Sequence, residues 1–115
     1  MSIERIVPDL SVTDLRRSVD EYAAVFGLDV VMDHGWIVTL ADAEGRQLSL
    51  LSADATALEN PTASVFVDDV QAAYERAVAA DLEIVHPLTT ETWGVTRFFF
   101  RDGSGNVIKV GMHAR

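Results

Sequence analysis

No cysteine occurs in the 115 residues, which excludes disulfides, thiol nucleophiles and zinc sites built on thiolates. Positive charge is scarce: nine Lys and Arg stand against 18 Asp and Glu, a formal net charge of −9. These few cations are scattered rather than gathered in a stripe, so neither nucleic acid nor a membrane is expected as a partner. Long hydrophobic runs are missing as well. No segment approaches the roughly 20 apolar residues that cross a bilayer, and the opening "MSIERIVPDL" lacks the apolar stretch of a secretory leader. A cytoplasmic location is therefore expected. There is no G-x-S-x-G, no P-loop, no H-E-x-x-H and no His pair at metal-ligand spacing. The glycine-rich "DGSGN" joins two strands with no helix after it, so it lacks the helix N-terminus that makes phosphate loops work.

What is present is an ordinary globular balance, 49% apolar and 23% charged, in a length that suits one domain. The acidity keeps such a chain soluble and weakly favours cationic ligands. Inside the domain is a repeat. "SVTDLRRSVDEYAAVFGLDVV" from Ser11 matches "FVDDVQAAYERAVAADLEIV" from Phe66, with Val12, Asp14 and Leu15 answering to Val67, Asp69 and Val70 at an offset of 55. "IVTLADAEGRQLSL" from Ile37 then matches "RFFFRDGSGNVIKV" from Arg97 at an offset of 60, pairing Asp42 with Asp102, Gly45 with Gly105, Leu48 with Ile108 and Leu50 with Val110. The repeat predicts two modules, 1–53 and 62–115, joined by a polar linker at 54–61, each reading strand, helix and three strands.

Each element has its own physical support. Asp14 and Asp69 stand at helix starts, where a carboxylate caps free N–H groups and meets the positive end of the dipole. Leu15, Val19, Tyr22, Ala23 and Phe26 recur at helical spacing before Gly27, a natural terminator, and Val70, Ala73, Tyr74, Ala77 and Val78 do the same in the second copy. "GWIVTLAD" and "RQLSLLS" flank "AEG" as a hairpin. Neither module alone covers both faces of its sheet, so the two are expected to pack as one domain.

These residues resemble the vicinal oxygen chelate superfamily, which includes glyoxalase I, bleomycin resistance proteins and extradiol dioxygenases. "VTDLRRSVDEYAAVFGLDV" is similar to that family's opening motif and "WGVTRFFFRDGSGNVIKV" to its closing one, with Gly103 where the family usually has proline. The resemblance implies an α+β fold: two βαβββ modules whose mixed sheet curls around a cleft, with helices outside. Metal-using relatives carry a ligand at four equivalent strand positions, usually His, Gln or Glu. Carried over by counting from the motifs, those positions are Val7, Ser49, Thr62 and Lys109. An aliphatic side chain, two hydroxyls and an ammonium are a poor set for a divalent ion, so no metal and no cofactor are expected, and metal-dependent isomerisation or ring cleavage is not expected either.

Strand alternation then assigns faces. With position 109 toward the cleft, Val107 and Gly111 follow it, as do Gln47, Ser49 and Leu51, and Thr62, Ser64 and Phe66. Arg5, Val7 and Asp9, Ile37 and Thr39, and Arg97, Phe99 and Arg101 complete the lining, while Phe98 and Phe100 are assigned to the helix side. The candidate ligand-binding residues are Trp36, Thr39, Ser49, Ser64, Phe66, His86, Glu91, Trp93, Arg97, Phe99 and Lys109, and none is assigned a catalytic role. Plainer roles stand beside several of them: packing or dimer contacts for Trp36 and Trp93, a surface or satisfied position for His86 as for His34, and a solvated loop for Glu91, while His113 near the C-terminus is expected at the surface. Lys109 has several roles open to it, pairing with Asp9 or Glu44, binding an anionic ligand group or replacing metal charge. The first functional reading is a metal-free binding protein of the bleomycin-resistance type, a homodimer that sequesters a drug or metabolite, an aromatic or cationic small organic molecule. The alternatives are a metal-independent isomerase, epimerase or lyase using Lys109, His86 or Glu91 as acid or base, and a ligand-sensing interaction module.

Overall fold

In the computed structural model, which describes residues 1–114, both helices begin on the aspartates that the repeat aligns. The Asp14 carboxylate accepts the Arg17 amide at the start of α1 (Leu15–Phe26), and Asp69 accepts the Ala72 amide at the start of α2 (Val70–Ala79). Gly27 ends α1 at φ 66°, a left-handed conformation that costs a side chain and suits glycine. The strands are β1 (Ile3–Ser11), β2 (Asp29–Asp33), β3 (Ile37–Ala41), β4 (Gln47–Leu51), β5 (Ala63–Val67), β6 (Glu83–Thr90), β7 (Val95–Arg101) and β8 (Val107–His113). The order βαβββ thus occurs twice, giving the α+β fold that the sequence predicts.

Contacts divide the chain into two units, one of residues 7–60 and one joining residues 1–6 to 61 onward. In the first unit, Asp9–Ser11 of β1 run parallel to Ser49–Leu51 of β4, β4 is antiparallel to β3, and β3 to β2 with an irregularity between Val30 and Met32. The second unit repeats this pattern: β5 is parallel to β8, β8 antiparallel to β7, and β7 to β6. The first residues of β1 stay with the second unit through backbone bonding of Ser2 with Asp68 and a cap of the Ser2 amide by the Asp68 carboxylate at 2.7 Å.

Each helix covers one face of its own sheet. Leu15 and Val19 of α1 pack on Val38, Leu40 and Leu50, and Val70 and Ala77 of α2 on Val67, Phe98 and Val110. Tyr74 meets Phe98 edge to face, with ring centroids 5.2 Å apart. The apolar stripes end sooner than their spacing predicts, since Phe26 and Val78 are exposed. Periodicity reports which residues share a helix face, not how far the neighbouring sheet extends beneath it.

The two hairpins use the same side-chain device. Asp42 accepts the amides of Glu44 and Arg46 with one oxygen, and Asp102 accepts those of Ser104 and Asn106, the residues aligned by the offset of 60. Their second oxygens take Arg46 Nε and Asn106 Nδ2. These bonds, with the Arg16 pair of Asp33, hold all three carboxyls below their ordinary range, Asp33 at about 2. A depressed carboxyl pKa favours the folded state above the unfolded value and loses that contribution as pH falls toward the folded value. The chemical-denaturation midpoint is therefore expected to fall progressively once pH drops below about 4. Asp33→Asn, read in the same titration, is expected to flatten the steepest, most acidic part of that decline.

Candidate functional site

The opposite face of each sheet carries the polar side chains. Because Phe98 and Phe100 point to α2, the alternate residues Arg97, Phe99 and Arg101 share the other face of β7. Register carries this across the second unit: Ser64 on β5 lies beside Lys109 on β8, Lys109 beside Phe99, and Phe99 beside His86 on β6. The next row runs from Phe66 through Gly111 to Arg97. A Cβ on residue 111 would lie 3.2 Å from Phe66 Cε1, so this ring leans into the space that glycine leaves open.

Burial makes the charges on this face consequential. Arg97 is 2% exposed and Lys109 8%. The Arg97 guanidinium stands over Phe99 and Trp93, 5.0 and 5.1 Å from their ring centres, and its Nε donates to Glu91 Oε1 at 3.3 Å. The same Glu91 oxygen is 3.6 Å from His86 Nε2. His86 stacks on Phe99 with centroids 5.0 Å apart, and its Nδ1 is 2.8 Å from the Pro87 carbonyl, an arrangement in which Nδ1 donates. Glu91 is thus a buried partner of Arg97 and His86 rather than a solvated loop carboxylate. The reason is tertiary: the tight turn at 91–95, closed by bonding between Glu91 and Val95, folds that side chain back over β7.

A second cluster surrounds Phe66. Arg5 Cζ is 3.9 Å from the ring centre, Lys109 Nζ 5.7 Å, and His113 stacks on the ring at 4.7 Å and 10°. Arg5 Nη2 also bonds His113 Nε2. His113 is half-buried here, not a surface residue, and its imidazole is held below its ordinary 6.5 by burial first and then by the Arg5 and Lys109 charges, against an opposing pull from Glu4. Of the three partners of Phe66, sequence reasoning missed Arg5 and His113 as site candidates. Arg5 was signalled by the parity of β1, whereas nothing local distinguishes His113 from a terminal surface histidine.

Of the other candidates, Trp36, Thr39 and Ser49 belong to the first unit. Thr39 Oγ1 and Ser49 Oγ share a hydrogen bond of 2.7 Å on buried, paired positions, with Asp9 in register beside Ser49. Trp36 is half-buried, and its carbonyl receives the Ser52 amide. An apolar groove of about 310 Å³ lies elsewhere, on the α2 side of the second unit, bordered by Ile3, Val67, Ala77 and Phe98.

At the four positions carried over from metal-using relatives the side chains are a poor donor set for a divalent ion. Val7 is buried and offers no donor, the Ser49 hydroxyl is engaged by Thr39, Thr62 is exposed with its hydroxyl on the Val107 carbonyl, and Lys109 carries a positive charge. Among the described residues no group of three or more His, Asp or Glu converges. These residues do not fit the divalent ion of such relatives.

Two βαβββ modules, each with a helix on one sheet face and a polar array on the other, define an α+β protein built by internal duplication. Residues 2–110 match the model of the Glyoxalase/Bleomycin resistance protein/Dioxygenase superfamily, and the chain belongs to that superfamily. Among solved structures it is similar to a glyoxalase/bleomycin resistance protein/dioxygenase superfamily member from Vibrio splendidus 12B01, with 21% identity and a TM-score of 0.73 over 96% of this chain and 99% of that one. It is also similar to a Legionella pneumophila protein described as NAD-dependent benzaldehyde dehydrogenase (14%, TM-score 0.77, covering 95% and 99%). A third likeness is to the 2,3-dioxygenase LapB from Pseudomonas sp. KL28 (13%, TM-score 0.68), covering 95% of this chain and 42% of that one. These likenesses concern the fold. Among curated proteins, none matches. No helix among the described residues is long and apolar enough to cross a membrane.

Proposed function

We propose that this chain is a cytoplasmic, homodimeric binding protein that holds a small organic molecule without a divalent metal and sequesters it unchanged, in the manner of bleomycin resistance proteins. The observation that carries the reading is Lys109, a buried ammonium where metal-using relatives place a carboxylate, in a set otherwise supplied by Val7, Ser49 and Thr62. A protonated lysine repels the ion that a glutamate would hold. The same face offers aromatic surface and hydrogen-bonding groups at fixed positions, which suits recognition of a compact organic ligand.

Elemental analysis of the purified protein, followed by a thermal-shift screen against antibiotics and metabolites with and without chelator, tests this. Expected are substoichiometric metal, a melting temperature indifferent to chelator, and ligands that raise it and are recovered unaltered. One tightly held divalent ion per chain, whose removal lowers the melting temperature, would overturn the reading. Light scattering on the same preparation is expected to give twice the chain mass.

A second reading, a metal-independent isomerase or lyase, is favoured by one feature: the buried His86–Glu91 contact, with His86 Nδ1 fixed on the Pro87 carbonyl. It requires a ligand that is chemically changed and a rate that collapses in His86→Gln while ligand affinity persists.

A further inference from the structure

We propose that the groove on the α2 side of the second unit binds the alkyl chain of a linear carboxylate, with the carboxylate held by Arg76 at its rim. The site lies on the sheet face opposite the polar array, and it stands whether or not that array holds a ligand. Residues of α2, of β5, β7 and β8 and Ile3 border a space of about 310 Å³, at the small end of the range for ligand sites. Apolar surface remains open along it. Val65, Leu82, Phe100 and Ile108 are only half-buried, and Ile3 is exposed. A hydrocarbon chain displaces water from such walls favourably.

The internal repeat shows why this copy has the opening. At the offset of 55 Ala77 answers to Tyr22, and at the offset of 60 Phe100 answers to Leu40. In the first unit Tyr22 packs against the Val38, Leu40 and Leu50 core, and Leu40 is fully buried. In the second, alanine leaves that volume unfilled and Phe100 keeps part of its ring exposed. The charge at the groove then names the head group, because Arg76 is the one ionisable side chain along it and no carboxylate borders it. Acidic side chains outnumber basic ones 18 to nine, and Arg16, Arg17, Arg46, Arg97 and Arg101 each pair with a carboxylate. Arg76 is exposed and pairs with none among the described residues. An arginine so placed lays its methylene stem on the apolar wall and keeps its guanidinium in water, where the planar fork takes both oxygens of a carboxylate.

Hexanoate and octanoate, with 1-octanol and octylammonium as neutral and cationic counterparts, test this when each is titrated below its micellar range and the protein's methyl and amide resonances are followed. Octanoate is expected to shift the methyls of Val67, Leu82, Ile108 and Val110 and to bind about fivefold more tightly than either counterpart. Affinity should rise about threefold to fourfold for each methylene between hexanoate and octanoate. Arg76→Gln is expected to weaken octanoate about fivefold and to leave octanol within about twofold, with Arg76→Lys between the two. Ala77→Leu, which fills the groove, should weaken octanoate and octanol alike by about tenfold or more. If circular dichroism shows that variant unfolded, Ala73→Leu, at a half-buried position on the same wall, decides. Octanol or octylammonium bound as tightly as octanoate, or octanoate affinity unmoved by Arg76→Gln, overturns the proposal. Octanoate that shifts the amides of His86 and Phe99 but no groove methyl also overturns it, while supporting the polar face as the binding surface. Groove methyls unmoved by every probe overturn it as well, and loss of a dimer in either leucine variant would then give the groove to a second copy of the chain.

Discussion

Arg97→Ala is expected to lower the free energy of unfolding by about 3–5 kcal/mol, the cost of leaving one member of a buried ion pair without the other. The guanidinium is 2% exposed, donates to Glu91 at 3.3 Å and fills the space between Trp93 and Phe99. Alanine removes the donor from a carboxylate whose side chain is itself only 10% exposed, and it also empties the stacked slot. Arg97→Lys keeps a charge but loses the planar group that lies on both rings, so an intermediate loss is expected. In the double variant Arg97→Met, Glu91→Gln no uncompensated charge remains, and much of the loss should return. Urea unfolding followed by circular dichroism measures all three. A loss below about 1 kcal/mol for Arg97→Ala would mean that the pair contributes no more than an exposed one.

Phe98→Ala is expected to cost about 3–5 kcal/mol for a different reason, the cavity left in a packed core. Phe98 is fully buried among Val67, Val70, Ala77 and Val110, with Tyr74 edge-on at 5.2 Å. The adjoining apolar groove means that the deletion enlarges an existing space rather than opening a sealed one. Phe100, on the same face but half-buried, should cost clearly less when replaced by alanine. Because Phe98 and Phe99 point to opposite faces, Phe98→Ala should leave the amide environments of His86 and Lys109 nearly unchanged, whereas Phe99→Ala should move both. A Phe98 variant that disturbs the His86–Lys109 row as strongly as a Phe99 variant would contradict that alternation.

The consecutive phenylalanines show how much of the site was legible beforehand. Period-two alternation and the more apolar pair at 98 and 100 were enough to assign faces, because a strand's backbone alone sets the direction of successive side chains. Local chemistry was equally sufficient for Asp14 and Asp69 as helix caps, since each bonds an amide three residues on, and the repeat aligned Asp42 with Asp102, whose shared bonding to nearby amides the structure adds. Lys109 could be assigned to the last strand by counting, and it lies there opposite Phe99.

A solvated loop position for Glu91 and a surface position for His113 are the plainer expectations from sequence, and neither holds. Nothing within a few residues of either signals burial, since Glu91 is enclosed by Arg97 and His86, and His113 by Phe66 and Arg5, the last 108 positions away in the chain. The same limit applies to the first six residues. Their sequence belongs with the first copy of the repeat, but their contacts are with the second.

By itself, then, the sequence determined the duplicated βαβββ order, the helix caps, the turns and the alternation of Phe98 and Phe99 between two faces, because these follow from backbone geometry and from hydrogen bonds between near neighbours. It also determined the chemistry of Val7, Ser49, Thr62 and Lys109, which is a property of the side chains themselves. Only the tertiary structure decided which charges are buried and with whom: Arg97 with Glu91, and Arg5 and Lys109 about a single aromatic ring. Electrostatic energy depends on distance and on the exclusion of water, and neither exists until strands far apart in the chain lie side by side.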